Sequence, residues 1–408
     1  MWKVPKVKIT KYTLENKLKV ILHKRKHLTV HYRLLMPHGF RNETFPESVH
    51  LLEHMLFKPE HKVFPTFQRI GGEVNGYVSM DEFGIYWIVP TIFQKEAIDC
   101  IGKILLENFK SWTDDMLKRE KAIIIRELEE NFSDPTRYID IFLRRKLFGE
   151  DTPGTHSPDT VEKAFRDVSL ADVRSELENM SPNGSVLAAV GNVEMGKLEP
   201  LEIWRSALES KKSWKQLKTE TDLGYHFEYR DLPINYLALG WISAPKGEYH
   251  SEILNLLSAI LTAFPTSRLY RRLRVEEGLV YHVEAFNVAF IDTGFFAIAT
   301  STPPHHVNRA INIILEEIDD IITNGPTEEE VQDMKNMFFG ALYSLTDSKS
   351  GLASVLAYDE LFLNDALRLY KEIAKTVQNL KPEAVQSTAR RYLRLDRCTI
   401  CILGREYK

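Results

Sequence analysis

The chain has 408 residues, of which 44% are hydrophobic and 27% are charged, as in ordinary globular proteins. Its 53 lysines and arginines nearly balance 57 aspartates and glutamates, and the formal net charge of −4 therefore argues against nucleic-acid or anionic-membrane partners. This length favours two domains, because single hydrophobic cores rarely grow beyond about 250–300 residues.

The three cysteines, Cys100, Cys398 and Cys401, are too few and too scattered for a disulfide framework. The N-terminal residues are charged and lack the apolar core of a signal peptide, and no apolar run approaches the roughly 18 residues of a membrane span. We therefore expect a cytoplasmic protein without membrane contact. The Cys398-x-x-Cys401 pair falls in a β-rich segment and is interpreted as core packing, because no second pair completes a zinc ribbon.

The first half of the chain alternates between strand and helix patterns. We place Pro46 in the first turn of a helix, where proline is tolerated. Gly71 and Gly72 are expected to stop the short helix that follows. In chain order, the predictions are strands at 18–23 and 30–36, helices at 46–57 and 64–70, two strands within 73–90 with a turn near 81–84, and helices at 92–112 and 114–131.

The chain also contains an internal repeat of about 210 residues. Helix-then-strand units close both halves, one ending at Gly191 and the other at Gly404. This pattern predicts two homologous domains, 1–210 and 223–408, joined by the polar linker 211–222.

The sequence His-Leu-Leu-Glu-His at 50–54 is the motif that indicates a metal site. Because positions i and i+4 share a helix face, His50 and His54 can both reach one metal ion. Zinc prefers such imidazole ligands, and Glu53 would stand close enough to a water molecule to accept its proton. The order His-x-x-Glu-His is the inverted form of the zincin motif.

A third metal ligand is expected from the predicted helix at 114–131. Glu120 and Glu127 are seven residues apart and therefore share a face of that helix. Glu129 and Glu130 are further carboxylates on it, and spacing alone does not choose among the four.

With this motif and helix, the chain resembles the pitrilysin-type zinc metallopeptidases, which combine His-x-x-Glu-His with a distant Glu-x6-Glu helix. The resemblance implies that His50, His54 and Glu127 bind zinc and that Glu53 is the catalytic base. It also implies a supporting role near the site for Glu120.

Two further segments are similar to the family. The sequence GGEVNGY at 71–77 resembles the strand that lines the family's site, and by analogy Asn75 contacts the substrate backbone. The sequence RVEEGLVY at 274–281 resembles a segment of the partner half that faces the zinc in active members. It implies that Arg274 binds the substrate main chain and that Tyr281 stabilises the oxyanion. Val275 replaces the family's usual acidic residue and leaves the separation of Arg274 and Tyr281 unchanged.

The resemblance implies an α+β fold of two homologous domains, each a mixed β-sheet covered by helices on one face. It further implies a zinc endopeptidase with one zinc ion per chain, acting on small peptides or unfolded polypeptides inside a chamber. Because the chain carries both the zinc motif and the Arg274/Tyr281 segment, a homodimer is the simplest assembly. The alternatives are a heterodimer with a paralogue, for example in peptide maturation, and a non-catalytic scaffold.

Overall fold

The computed structural model describes residues 2–58, 63–204, 214–219 and 221–407. The chain forms two compact units, and each is assembled from three stretches of sequence. The first unit comprises Met1–Leu128, His156–Lys215 and Ala341–Ala374. The second comprises Glu129–Thr155, Gln216–Gly340 and Lys375–Lys408.

The first unit is built on a mixed sheet. Its strands are β1 (Thr10–Thr13), β2 (Lys19–Lys24), β3 (Thr29–Met36), β4 (Glu73–Val78), β5 (Phe83–Pro90) and β6 (Val186–Gly191). They lie in the order β1-β2-β6-β3-β5-β4, with β2 parallel to β6 and every other pair antiparallel. The strand β4 is therefore an edge strand.

The second unit repeats this topology. Its strands are β7 (Gly224–Tyr229), β8 (Asn235–Ser243), β9 (Val283–Ala289), β10 (Gly294–Thr302) and β11 (Thr399–Gly404). The order β7-β11-β8-β10-β9, with β7 parallel to β11, matches β2-β6-β3-β5-β4 strand for strand. The α+β fold class and the duplication predicted from the sequence are confirmed.

Helices surround both sheets. They are α1 (Ser48–Leu56), α2 (Val63–Arg69), α3 (Gln94–Glu107), α4 (Asp114–Ser133), α5 (Pro135–Phe148), α6 (Pro158–Phe165), α7 (Leu170–Glu178), α8 (Tyr249–Thr262), α9 (Val307–Thr323), α10 (Glu328–Asp347), α11 (Lys349–Leu363), α12 (Ala374–Gln378) and α13 (Pro382–Tyr392). Tyr270–Glu276 and Leu369–Ile373 form π-helical turns.

Helix packing does not follow the two sequence halves. The helix α5, from the first half, packs on β8 and β11 of the second unit, whereas α11, from the second half, packs on β3 and β6 of the first. All six residues of β6 are buried, so this central strand is covered on both faces. The units are therefore discontinuous along the chain, unlike the continuous halves predicted. The predicted linker lies partly outside the described residues, and its residues 214–219 form neither helix nor strand.

Two predicted helix boundaries differ from the structure. The helix α1 begins at Ser48, with Glu47 as its N-cap, so Pro46 precedes the helix instead of lying in its first turn. The pattern predicted as one helix at 92–112 is divided into the 3₁₀ turn Thr91–Phe93, α3 and a second 3₁₀ turn at Asn108–Ser111. Gly71 has a φ of 64° and ends α2 as expected, because glycine adopts this conformation without strain.

The three cysteines form no disulfide bond. All three cysteines are free, and Cys398 and Cys401 are buried in and beside β11, as predicted. Burial raises the pKa of Cys401 to about 12, which leaves its thiol protonated and unreactive. Within the described ranges, every helix is too short or too polar to cross a lipid bilayer.

The core beneath the first sheet holds α1 in place. Val49, Leu52, Met55 and Leu56 of α1 belong to the buried cluster that also contains Trp87 of β5. Trp87 is fully buried and stacks on Tyr32 of β3, with ring centroids 4.9 Å apart.

We expect Trp87→Ala to lower the free energy of unfolding by about 3–5 kcal/mol, because it leaves a large cavity in this core. The control Ile92→Ala removes a side chain that is 75% exposed, and its effect should stay within about 0.5 kcal/mol. Denaturant-induced unfolding of both variants provides the measurement. Equal stability of the two variants would contradict this account of the core.

Candidate metal centre

The helix α1 presents a polar face on an otherwise buried helix. Its apolar residues anchor it to the core, while His50, Glu53 and His54 are only partly buried. The spacings i, i+3 and i+4 put these three side chains on one face. The imidazole ring centroids of His50 and His54 lie 4.7 Å apart. Among the described residues, these three form the one group of potential metal ligands, with donor atoms within 4.8 Å of one another.

The helix α4 adds two carboxylates to the site. Glu127 Oε2 lies 3.5 Å from His50 Nε2 and 3.5 Å from His54 Nε2. Glu120, two turns earlier, lies on the buried face of α4, and its Oε2 is 3.0 Å from His54 Nδ1. The side chains of Glu129 and Glu130 are exposed. Of the four carboxylates that spacing left open, Glu127 is thus the one facing both Nε2 atoms.

Hydrogen bonds to carboxylates determine the tautomer of both histidines. His50 Nδ1 is 2.9 Å from Glu47 Oε2, and His54 Nδ1 has the Glu120 partner. Since an ionised carboxylate only accepts hydrogen bonds, each Nδ1 must carry the hydrogen. In the neutral rings, both Nε2 atoms then keep a lone pair toward Glu127.

This arrangement fits a zinc ion. Two Nε2 lone pairs and a carboxylate oxygen converge, and one metal cation can accept all three as ligands. Ligands bound to one tetrahedral zinc at about 2.1 Å stand about 3.4 Å apart, close to the observed 3.5 Å. The donor set of two imidazoles and one carboxylate is typical of catalytic zinc.

Glu53 has a different environment from the ligands. Its Oε2 is 3.9 Å from His54 Nε2, and burial raises the pKa of its carboxyl group despite the opposing effect of His54 and His50. A carboxylate with a raised pKa takes up a proton more readily than an exposed one. For His50, burial lowers the pKa, but the hydrogen bond to Glu47 and the nearby carboxylates outweigh it, and the pKa is raised.

A buried lysine supports Glu120. Lys58 Nζ is 2.8 Å from Glu120 Oε1 and its side chain is almost fully buried. Burial tends to raise the pKa of Glu120, yet the contacts with His54 and Lys58 lower it on balance. Glu120 therefore stays ionised and accepts the His54 hydrogen. Sequence reasoning missed Lys58, which lies just beyond the C-terminal end of α1.

Glu47 was also missed by sequence reasoning. It is 2% exposed and has a left-handed backbone, with φ 65° and ψ 19°. That conformation costs a residue other than glycine about 1–2 kcal/mol. The Glu47 N–H donates to Glu43 Oε2 at 2.9 Å, and burial raises the pKa of Glu43 to about 7. The only local signal was the spacing of Glu47, three residues before His50.

The edge strand β4 passes beside Glu53. A Cβ atom at Gly76 would lie 3.1 Å from Glu53 Oε1 and 2.5 Å from the Phe57 ring, so glycine permits this close approach. Because side chains alternate along a strand, Asn75 points to the opposite face of the sheet from Glu53. Asn75 is exposed, and its Oδ1 accepts a hydrogen bond from the Gly76 N–H at 3.0 Å.

The second unit brings Arg274 and Tyr281 together. The Arg274 guanidinium lies 4.6 Å from the centre of the Tyr281 ring and 5.1 Å from that of Tyr270, both within cation–π range. Tyr281 is 80% exposed. Both predicted residues are thus neighbours on the surface of their unit.

We expect His54→Ala to lose bound zinc, because two remaining ligands are too few for stable binding. The parental protein should hold about one zinc ion per chain after dialysis, measured by elemental analysis. The control His282→Ala changes a histidine whose side chain is 67% exposed and should retain the metal. Full zinc occupancy of the His54→Ala protein would refute the ligand assignment.

Comparison with known proteins links the chain to one family. A family model described as "Peptidase M16 inactive domain" matches residues 168–338, a range that excludes the motif at 50–54. An "Uncharacterized zinc protease YmxG" of Bacillus subtilis is 24% identical, covering 94% of this chain and 95% of that protein. An "Uncharacterized zinc protease" of Streptomyces coelicolor is 22% identical over 86% of this chain and 80% of its own length.

Solved structures agree with the fold. A peptidase M16 inactive domain from Pseudomonas fluorescens superposes with a TM-score of 0.88 at 17% identity, covering 98% of this chain and 99% of that one. A protease from Helicobacter pylori has a TM-score of 0.87 at 18% identity, with the same coverage of both chains. In sequence and in fold, the chain is thus similar to peptidases of the M16 type, in agreement with the pitrilysin-type resemblance of its motifs.

Proposed function

We propose that the chain is a zinc-dependent endopeptidase. The observation that carries this proposal is the convergence of His50 Nε2, His54 Nε2 and Glu127 Oε2 beside the partly buried Glu53. When bound, zinc would polarise the scissile carbonyl and lower the pKa of a water molecule at the site. The names of the relatives, which are zinc proteases, support the same reading.

Glu53 is the proton carrier in this mechanism. Its carboxylate accepts the proton of the attacking water and then delivers it to the leaving amine. The burial that raises the pKa of Glu53 favours this exchange, because a carboxylate with a raised pKa takes up a proton more readily. Glu120 and Glu47 act on the histidines through their Nδ1 atoms.

A substrate peptide would add to the free edge of β4. Among the described strands, β4 pairs only with β5, so an extended peptide could pair with its other side through backbone hydrogen bonds next to Glu53. Such pairing recognises the backbone more than the side chains, which suits small peptides and unfolded polypeptides. In this proposal, Asn75 assists by binding the substrate backbone.

The Arg274/Tyr281 pair would complete the site from a second copy of the chain. Tyr281 would donate a hydrogen bond to the oxyanion, and Arg274 would bind the substrate main chain. A two-fold homodimer then contains two equivalent sites, each with one zinc ion. Three free cysteines support the reducing cytoplasm as the compartment. If the enzyme were instead a heterodimer with a paralogue, the chain purified alone would be inactive. A non-catalytic scaffold would have no use for Glu53 beside a complete set of candidate zinc ligands.

The base is tested by Glu53→Gln. An amide cannot accept the proton, so kcat should fall at least about 100-fold while zinc content stays at the parental level. The matched control is Glu130→Gln, which changes an exposed glutamate on α4. Peptide hydrolysis and metal content should be measured on the same preparations. Parental activity of Glu53→Gln would show that another group is the base.

The shared site is tested by complementation. Tyr281→Phe should lower kcat with little change in KM or zinc content, because the oxyanion forms only in the transition state. A mixed dimer of one His54→Ala chain and one Tyr281→Phe chain retains one complete site, so it should recover about half of the parental activity.

The two chains should be co-expressed with different tags so that the mixed dimer can be isolated. Tyr225→Phe, an exposed tyrosine of the second unit, is the control. A mixed dimer no more active than its parents would contradict the shared site, whereas the zinc ligands would be unaffected.

A further inference from the structure

We propose that Glu47 is a positioning residue that holds the His50 ring and its tautomer ready for the metal. The inference rests on the proposed zinc function and assigns a role to a residue outside the family motif. Its basis is a buried carboxylate whose hydrogen bond to His50 is unrelated to helix capping.

The two oxygens of the Glu47 carboxylate differ in their partners. Its Oε2 lies 2.9 Å from His50 Nδ1, while its Oε1 has no hydrogen-bond partner among the described residues. A carboxylate that is only 2% exposed loses most of its hydration. One charged hydrogen bond does not compensate for the lost hydration free energy, so the buried carboxylate contributes little to the stability of the fold. Its orienting effect on His50 gives a reason for its presence.

Helix capping does not account for the Glu47 side chain. Glu47 occupies the N-cap of α1, where an acidic residue ordinarily accepts a hydrogen bond from the first turn. Its side chain makes no such bond. The carboxylate is directed to His50, three residues on, and ordinary capping does not explain the residue.

The backbone at Glu47 is held independently of its side chain. Its left-handed conformation is one that glycine adopts without strain. The Glu47 N–H is bound by Glu43 Oε2, and Glu43 Oε1 in turn lies 2.9 Å from His156 Nε2. Glu43 and His156 are both buried. Replacing Glu47 by glycine therefore removes the carboxylate and leaves these supports of the backbone unchanged.

The test compares Glu47→Gly with the parental chain. Zinc affinity is measured by competition with a chelator, and thermal unfolding is measured on the metal-free proteins. We expect zinc to bind about 10- to 100-fold more weakly to Glu47→Gly, the usual effect of losing a hydrogen-bond partner of a metal-bound histidine. The metal-free variant should unfold at or above the parental temperature, because glycine relieves the backbone strain.

Two further variants separate positioning from folding. Lys17→Gly removes another left-handed residue, with φ 70°, in the turn between β1 and β2, and should leave zinc affinity unchanged. Glu47→Gln keeps an oxygen that accepts the Nδ1 hydrogen and should lose less affinity than Glu47→Gly. The visible spectrum of the cobalt-substituted proteins should change for Glu47→Gly and not for Lys17→Gly, since it reports ligand geometry.

Unchanged zinc affinity in Glu47→Gly would overturn the inference while leaving the zinc function intact. Equal weakening in Glu47→Gln and Glu47→Gly would also contradict it, because the hydrogen bond would then not be the cause. Failure of the parental chain to bind zinc would remove the proposed function and this inference together.

Discussion

The candidate site depends on three acceptor atoms that the fold holds close together. His50 Nε2, His54 Nε2 and Glu127 Oε2 come from two helices, and both nitrogens lie 3.5 Å from the same oxygen. Two constraints enforce this proximity. The apolar face of α1 packs into the core of the first unit. The buried residues of α4 fix the rotation of α4 about its own axis.

Buried carboxylates around His50 and His54 orient the two imidazole rings through hydrogen bonds. Each histidine donates its Nδ1 hydrogen to a different carboxylate, Glu47 or Glu120, and Lys58 keeps the latter ionised. Burying such charges is costly, and a core made only for stability would use apolar side chains instead. In the proposed zinc enzyme, metal binding offsets this desolvation cost, because the Nε2 atoms of both rings are already oriented toward the metal.

The two units share one sheet topology and carry different candidate site residues. The strand order is the same in both, including the parallel pair that closes each sheet. The first unit carries the candidate metal ligands on α1 and α4, whereas the second carries the neighbouring residues Arg274 and Tyr281. A common architecture therefore constrains where helices and strand edges lie, and the side chains on them decide the chemistry.

The sequence by itself determined the elements, the duplication and the zinc motif, because helix and strand periodicity and the i, i+4 spacing are local properties of the chain. Spacing left the third ligand open among four carboxylates, and the resemblance implied Glu127. Tertiary packing places Glu127 Oε2 3.5 Å from both Nε2 atoms. The assignment of α5 and α11 to units also needed the structure, because an apolar helix face does not specify which sheet it covers. The proposed role of Glu47 could not be predicted from the sequence either. Its left-handed N-cap conformation and its buried carboxylate arise only when the chain around α1 is packed.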